Sequence, residues 1–309
     1  MSDPTQPVII ASFAAAVGIF LVAAARRKFA PQEPVIEECA ANSADISPYV
    51  ATVTPPPFPE ETSATAHPGK VPTWFFLPLD LIGISMVVAT YFVLIVASLG
   101  MVSDGEAKLD PNALITTIGF QFISAGIVSA LIIPRVRATE WLGLRWQKWP
   151  MVFLIAPACV IGMWIFFYSL QASGYVSWME SLGVDGVQDT VKLLQQSTDP
   201  LTLGLMAVAA VIAAPLCEEI VFRGYLYGAA KHFTGPWVAG IFSALVFASV
   251  HGSLVALLPL FVFGCLLAYV YEKTGSIWAP IAIHFCFNGA TVLAQLASRF
   301  IELPTDSGL

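Results

Sequence analysis

Long apolar stretches separated by short polar ones dominate this chain. The apolar segments cover residues 7–25, 75–103, 113–133, 150–172, 200–217, 236–251, 254–271 and 276–298. A helix needs about 17–25 apolar residues to cross the hydrocarbon core of a bilayer. The pattern therefore predicts an all-α fold, a polytopic transmembrane helical bundle of about eight membrane helices.

Composition supports this prediction and excludes other classes of protein. The chain is 57% hydrophobic and 11% charged, and its mean hydropathy is +0.77. Its net charge of -7 is spread over the loops, and no basic surface suggests a nucleic-acid partner. The five cysteines show no CxxC spacing, so a disulfide framework is not expected.

The basic residues predict the orientation, because cytoplasmic loops are enriched in Lys and Arg. With the N-terminus outside, the inner side receives Arg26, Arg27, Lys28, Lys70, Arg135, Arg137, Arg145, Lys148, Lys231 and Lys273. The outer side receives Lys108, Lys192 and Arg299. We therefore expect an integral multi-pass protein of the plasma membrane with its N-terminus outside.

Changes in composition divide the chain. We expect a membrane anchor helix at 1–28, a cytoplasmic Pro-rich linker at 29–73 and a multi-helix domain at 74–300. The motif core of that domain is 200–298, and 301–309 form a tail.

Two loops have distinctive patterns. Residues 134–149 interleave basic residues with Trp141, Trp146 and Trp149, which predicts a segment lying on the inner membrane surface. The outer loop 173–199 has apolar residues spaced for a short amphipathic helix around 184–194.

A few polar residues interrupt the last apolar segments. They are Glu218, Glu219, Arg223, His251, His284 and Asn288. Ionisable groups at membrane depth are costly and usually mark a functional site. Each could alternatively join helices, with Glu219 and Arg223 as a buried ion pair.

The spacing suggests how these residues could act together. Glu219 and Arg223 are i and i+4, and so are His284 and Asn288. A carboxylate and a neutral histidine can deprotonate a water for attack on a carbonyl. A second histidine and an asparagine amide can then donate to the oxyanion.

One inconsistency remains in the predicted boundaries. Counted from the membrane edges, Glu218 lies on the inner side and His251 on the outer side. To bring them to one depth, we expect the helix that starts at 200 to continue past 217 and the 236–251 boundary to be wrong.

The polar residues form an ordered signature. It consists of Glu218-Glu219-x-x-x-Arg223, Phe247-x-x-x-His251 and His284-x-x-x-Asn288. This resembles the three motifs of the CPBP family, the type II CAAX prenyl endopeptidases and bacteriocin-processing intramembrane proteases. The resemblance implies that Glu218 and His251 activate a water, His284 and Asn288 stabilise the oxyanion, and Glu219 and Arg223 support them.

The expected function is therefore an intramembrane endopeptidase without a covalent acyl-enzyme. Its expected partners are membrane lipid and membrane-anchored protein or peptide substrates, such as prenylated CAAX proteins or leader peptides. The alternative is a non-catalytic scaffold or immunity protein that binds membrane partners. Haem binding between His251 and His284 is a further class.

Metal dependence is left open by the residue types. Family names often include the word metalloprotease, and zinc accepts mixed carboxylate and imidazole ligands. The candidate ligands are Glu218, His251 and His284. Because a carboxylate–histidine pair can activate water unaided, we expect no metal to be required, with zinc as the alternative.

Overall fold

The computed structural model describes residues 4–29, 70–101, 111–184, 186 and 189–301. These residues form helices and no strand. The helices are α1 (Thr5–Phe29), α2 (Asp80–Met101), α3 (Pro111–Ile132), α4 (Ala138–Trp141), α5 (Val152–Ala172), α6 (Tyr175–Ser181), α7 (Asp189–Gln196), α8 (Pro200–Thr234), α9 (Pro236–Ser249), α10 (Leu254–Thr274) and α11 (Trp278–Ile301). The predicted all-α bundle is confirmed.

Within the described residues, seven helices are long and apolar enough to cross a membrane, against about eight predicted. They are α1, α2, α3, α5, α8, α10 and α11. The difference is α9, which has 14 residues and a length of about 21 Å. The hydrocarbon core is about 30 Å thick, so α9 is too short to cross it.

Helix α8 begins and ends at clear sequence signals. Asp199 caps its start, since its Oδ2 accepts from the backbone N–H of Thr202 at 2.9 Å and from its hydroxyl at 2.6 Å. These bonds lower the pKa of Asp199 below its ordinary value. Gly235 ends the helix at φ 95°, and Pro236 starts α9.

Helix α8 is longer than the apolar segment that predicted it. It runs through 35 residues, or about 52 Å, so the expectation that it continues past 217 is confirmed. The boundary at 236–251 was expected to be wrong, but α9 covers Pro236–Ser249 and differs from it by only two residues at its end. Helix α9 then returns antiparallel, with Ser243 Oγ donating to the Phe222 carbonyl at 2.9 Å. Glu219 and His251 lie the same number of residues before and after Gly235, where α8 ends and α9 begins. The antiparallel helices therefore bring them to the same depth in the bundle.

The N-terminal helix packs on the helix that leads to His251. Ile9, Phe13, Ala16 and Phe20 form one buried stripe of α1. The Phe20 ring stacks on Phe242 of α9 at 4.8 Å between centroids. The division into anchor, linker, domain and tail stays a prediction, and residues 30–69 and 302–309 lie outside the described part.

The loop 134–149 is not a surface segment throughout. Trp141 is 1% exposed, and its indole N–H donates to the Gly224 carbonyl of α8 at 2.8 Å. The prediction that this tryptophan lies on the membrane surface is wrong. A buried indole is favoured where its N–H finds an acceptor, and α8 provides one.

The outer loop also differs from the pattern. Two short helices, α6 and α7, form where a single helix was predicted, and Val184 lies between them. Val184 and Leu194 are both buried, in separate apolar clusters. The predicted short amphipathic helix is thus present as α7, which carries Leu194, whereas Val184 lies before it and is buried elsewhere.

A buried ion pair joins three segments at one end of the bundle. Lys231 of α8 is completely buried and donates to Glu272 of α10 at 2.8 Å and to the Val71 carbonyl at 2.9 Å. The Tyr227 hydroxyl donates to the same carboxylate at 2.6 Å. These bonds fasten the segment before α2 to α8 and α10.

We expect Glu272→Leu to destabilise the protein strongly. Removing one partner of a buried pair costs about 3–5 kcal/mol, because the other charge is left uncompensated. The double variant Lys231→Met/Glu272→Leu should recover much of that loss. Thermal unfolding of the purified protein in detergent measures both, and equal melting temperatures for the two variants would contradict the pairing.

Candidate active site

A break in the regular hydrogen bonding of α8 leaves a backbone carbonyl available to Asn288. Residues Ala209–Ala213 are π-helical, and the Ala214 N–H pairs with the Ala209 carbonyl. The next carbonyl in this pattern, of Ala210, would pair with residue 215, which is a proline without an N–H. The Asn288 amide donates to that carbonyl at 2.8 Å. The side chain thus replaces a backbone donor and links α11 to α8.

Glu219 is the centre of the polar network. Its Oε1 accepts from Arg223 Nη1 at 2.8 Å and from His284 Nδ1 at 2.9 Å. Glu219 and Arg223 have no exposed surface, and His284 is 3% exposed. The predicted ion pair between Glu219 and Arg223 is confirmed, and it extends to α11 through His284.

Arg223 connects the first motif to the second. Its guanidinium lies 4.5 Å above the ring of Phe247, within the range of a cation–π interaction. Its Nη2 donates to the Gly264 carbonyl of α10 at 3.3 Å. A Cβ at Gly264 would lie 2.9 Å from the Cβ of Ala244, so the close approach of α9 and α10 requires glycine there.

Glu218 is in a different situation from its neighbour. It is partly exposed, but its Oε2 is buried and has no hydrogen-bond partner among the described residues. Leaving a buried acceptor unpaired costs about 1–3 kcal/mol. Such a position is explained where water or a substrate provides the donor.

His251 lies just beyond the end of α9 and is exposed. Its Nδ1 bonds to the Phe247 carbonyl at 2.7 Å. A carbonyl only accepts, so Nδ1 carries the proton and the lone pair of the neutral ring is on Nε2. This is the form that can take a proton from water.

The motif residues come together to different degrees. Glu219, Arg223 and His284 are in direct contact. The Phe247 ring packs against both histidines: its centroid lies 4.9 Å from the ring centroid of His251 and 5.9 Å from that of His284. Within the described part of the chain, Glu218 and His251 share no direct hydrogen bond, so a bridging molecule would have to link them.

Other residues near the site were missed by sequence reasoning. Tyr91 of α2 packs its ring on Phe222 at 5.3 Å and lies within electrostatic reach of Glu218. It sits in an apolar segment with no ionisable neighbour that could have marked it. Ser243 and Gly264 were equally without a signal, since Ser243 donates to a backbone carbonyl of α8 and Gly264 accepts from Arg223 through its own carbonyl.

The candidate metal ligands do not form a compact group. Among the described residues, no cluster of three or more His, Cys, Asp or Glu side chains is arranged to hold a metal ion. The Nδ1 atoms of His251 and His284 are occupied by Phe247 and Glu219, which leaves only Nε2 of each ring free to bind anything else.

Comparison with known families agrees with the motif region. Residues 200–290 match the family model described as "Type II CAAX prenyl endopeptidase Rce1-like". This match covers all three motifs. Residues 200–290 belong to the CPBP family.

Two curated sequences are similar to part of this chain. One is "Putative membrane peptidase YdiL" of Bacillus subtilis, 37% identical over 92 residues, which are 30% of this chain and 38% of that protein. The other is "UPF0177 protein YxdF" of Lactococcus lactis, 32% identical over 96 residues, which are 30% of this chain and 52% of that protein. The matches thus span about two fifths to one half of the relatives' lengths. No solved structure matches the chain.

The two adjacent acids of the CPBP region should differ in their effect on stability. Glu219→Gln removes the charge that holds Arg223 and His284, and breaking a buried pair costs about 3–5 kcal/mol. Glu218→Gln removes no protein contact and should leave the melting temperature nearly unchanged. Thermal unfolding of both variants in the same detergent tests this contrast, and an equal loss in both would contradict the assigned roles.

Proposed function

We propose that this chain is an intramembrane endopeptidase that cleaves membrane-associated substrates with a water activated by Glu218 and His251. The observation that carries the proposal is the unpartnered, buried Oε2 of Glu218, which makes no protein hydrogen bond, beside Glu219, whose Oε1 is held by Arg223 and His284. Membership of residues 200–290 in a membrane-protease family supports the same reaction.

The first step is deprotonation of water. A water lying between Nε2 of His251 and Oε2 of Glu218 donates one hydrogen bond to each of these two acceptors. The proton leaves to Glu218 or His251 while the oxygen attacks the carbonyl carbon of the scissile peptide. The same group then returns the proton to the leaving amine. Because the nucleophile is water and not a protein side chain, no acyl-enzyme forms.

The second requirement is stabilisation of the oxyanion. Asn288 uses one amide hydrogen for the Ala210 carbonyl and keeps the other for the substrate oxygen. His284 can donate from Nε2 when its ring is protonated. Its Nδ1 is bonded to the Glu219 carboxylate, which also pairs with Arg223, so the ring is held in one orientation.

The substrate class is proposed from the membrane setting and the family. A site carried on membrane-spanning helices selects peptides anchored in or near the bilayer. Prenylated CAAX proteins and leader peptides both satisfy this condition. We also propose the plasma membrane as the location, with the N-terminus outside and the linker 29–73 in the cytoplasm.

We expect Glu218→Gln to lower proteolysis by about 10²–10⁴-fold, the usual contribution of a general base. The substitution keeps the size of the side chain and removes only its basicity. The measurement compares cleavage of candidate substrates, prenylated peptides and leader peptides, in membranes carrying wild type or variant. Glu180→Gln, at an exposed carboxylate on helix α6, is the matched control and should cleave normally.

Two outcomes would reject the enzyme. Equal processing by wild type and Glu218→Gln would show that this carboxylate is not the base. A cellular phenotype retained in Glu218→Gln and His251→Ala, but lost on deletion, would favour the scaffold or immunity role. A Soret band in the purified protein would instead indicate haem.

We expect proteolysis to persist after treatment with a metal chelator, since the proposed proton transfer needs only Glu218 and His251. The measurement combines metal analysis of the purified protein with a chelator titration of its activity. Stoichiometric zinc, with activity lost on chelation and regained when zinc is added, would contradict the expectation and assign Glu218, His251 and His284 as ligands.

A further inference from the structure

A cavity of about 360 Å³ opens between the loop before α5 and the first turns of α11. The lining residues are Leu144, Trp146, Trp149, Val152, Trp278 and Ala282. Its volume is within the range of about 300–1,000 Å³ that small-molecule sites occupy. Three indole rings from two separate segments meet in it, while its remaining walls are aliphatic.

The loop that forms one wall is held in place by the bundle. The Ile277 N–H donates to the Leu142 carbonyl at 2.9 Å, and the Tyr271 hydroxyl donates to the Trp141 carbonyl at 3.3 Å. Gly143 has φ 62° and packs so closely on Gly275 that a Cβ would collide with its carbonyl. The cavity is therefore a built feature and not a gap beside a loose loop.

Two cations flank the cavity. Arg145 and Lys148 alternate with Trp146 and Trp149 on the same stretch, and both are exposed. Neither has a hydrogen bond or ion pair with another described residue. The exposed Glu140 is the acidic residue of this loop, and it does not offset both charges.

We infer that this cavity binds one anionic phospholipid of the inner leaflet. The positive-inside bias places the loop at the cytoplasmic surface, where anionic lipids concentrate. The apolar part of the lipid lies against the three tryptophans, and its phosphate lies between Arg145 and Lys148. A zwitterionic lipid offers the same phosphate but adds a cationic headgroup that Arg145 and Lys148 repel.

The lipid would touch a helix of the candidate active site without entering it. Trp278 precedes His284 by six residues on α11, which is about 9 Å along the helix. None of the six motif residues lines the cavity, although Ala282 of its wall lies two residues before His284, and lipid occupancy can be measured without any proteolysis. It does not rest on the proposed function.

The test uses delipidated full-length protein in detergent, titrated with phosphatidylglycerol or phosphatidylcholine and read by native mass spectrometry. We expect one phosphatidylglycerol to be retained in preference to phosphatidylcholine. In Arg145→Ala/Lys148→Ala the affinity for phosphatidylglycerol should fall about 30-fold, from about 1 kcal/mol for each cation at tenfold per 1.4 kcal/mol. Arg26→Ala/Lys28→Ala, two exposed cations at the end of α1, is the control and should bind normally.

A second variant separates the cavity from the charges. Trp149→Ala should also weaken phosphatidylglycerol binding, whereas Trp164→Ala, an exposed tryptophan on α5 outside the cavity, should not. Melting temperatures in detergent confirm that each variant is folded. Equal retention of the two lipids, equal loss in the control double variant, or normal binding by Trp149→Ala would each overturn the inference.

Discussion

One carboxylate oxygen, Oε1 of Glu219, holds the polar centre of the bundle together. It accepts from Arg223 on its own helix and from His284 on α11. Burial of these charges without partners would cost several kcal/mol each, so the helices must keep the register that pairs them. Arg223 extends the constraint to α9 through Phe247 and to α10 through the Gly264 carbonyl. Four helices thus share one ion pair.

The constraint on Glu219 also determines where Glu218 points. Adjacent residues of a helix are rotated by about 100° about its axis. Once Glu219 is fixed towards Arg223 and His284, Glu218 has to project to another side of α8. The same packing that pairs Oε1 of Glu219 therefore leaves Glu218 without a protein donor, so two neighbouring carboxylates have different surroundings.

Part of this arrangement was predictable from local spacing, and part was not. The i,i+4 relation of Glu219 and Arg223 is a property of any helix, so the sequence was enough to predict their pairing. The bond between Glu219 and His284 depends on how α11 packs against α8, which no spacing rule contains.

Trp141 was placed wrongly because composition cannot distinguish a surface indole from one whose N–H meets the Gly224 carbonyl. The extension of α8 past 217 was expected, but its end at Thr234 was not, because Lys231 looks like a loop residue until Glu272 is placed beside it.

Helix α8 carries two buried groups of charges, and comparing them separates structure from chemistry. In the first, Lys231 donates to both oxygens of Glu272 and to the Val71 carbonyl, while Tyr227 donates to the same carboxylate. The polar atoms of that group all have hydrogen-bond partners, so its role is to hold segments together. In the second, Oε2 of Glu218, Oε2 of Glu219 and Nε of Arg223 are buried without partners. A stable scaffold gains nothing from unpaired buried polar atoms, because each one costs free energy. The unpartnered polar atoms of the second group are the physical reason for proposing that it is reactive and that the first group is structural.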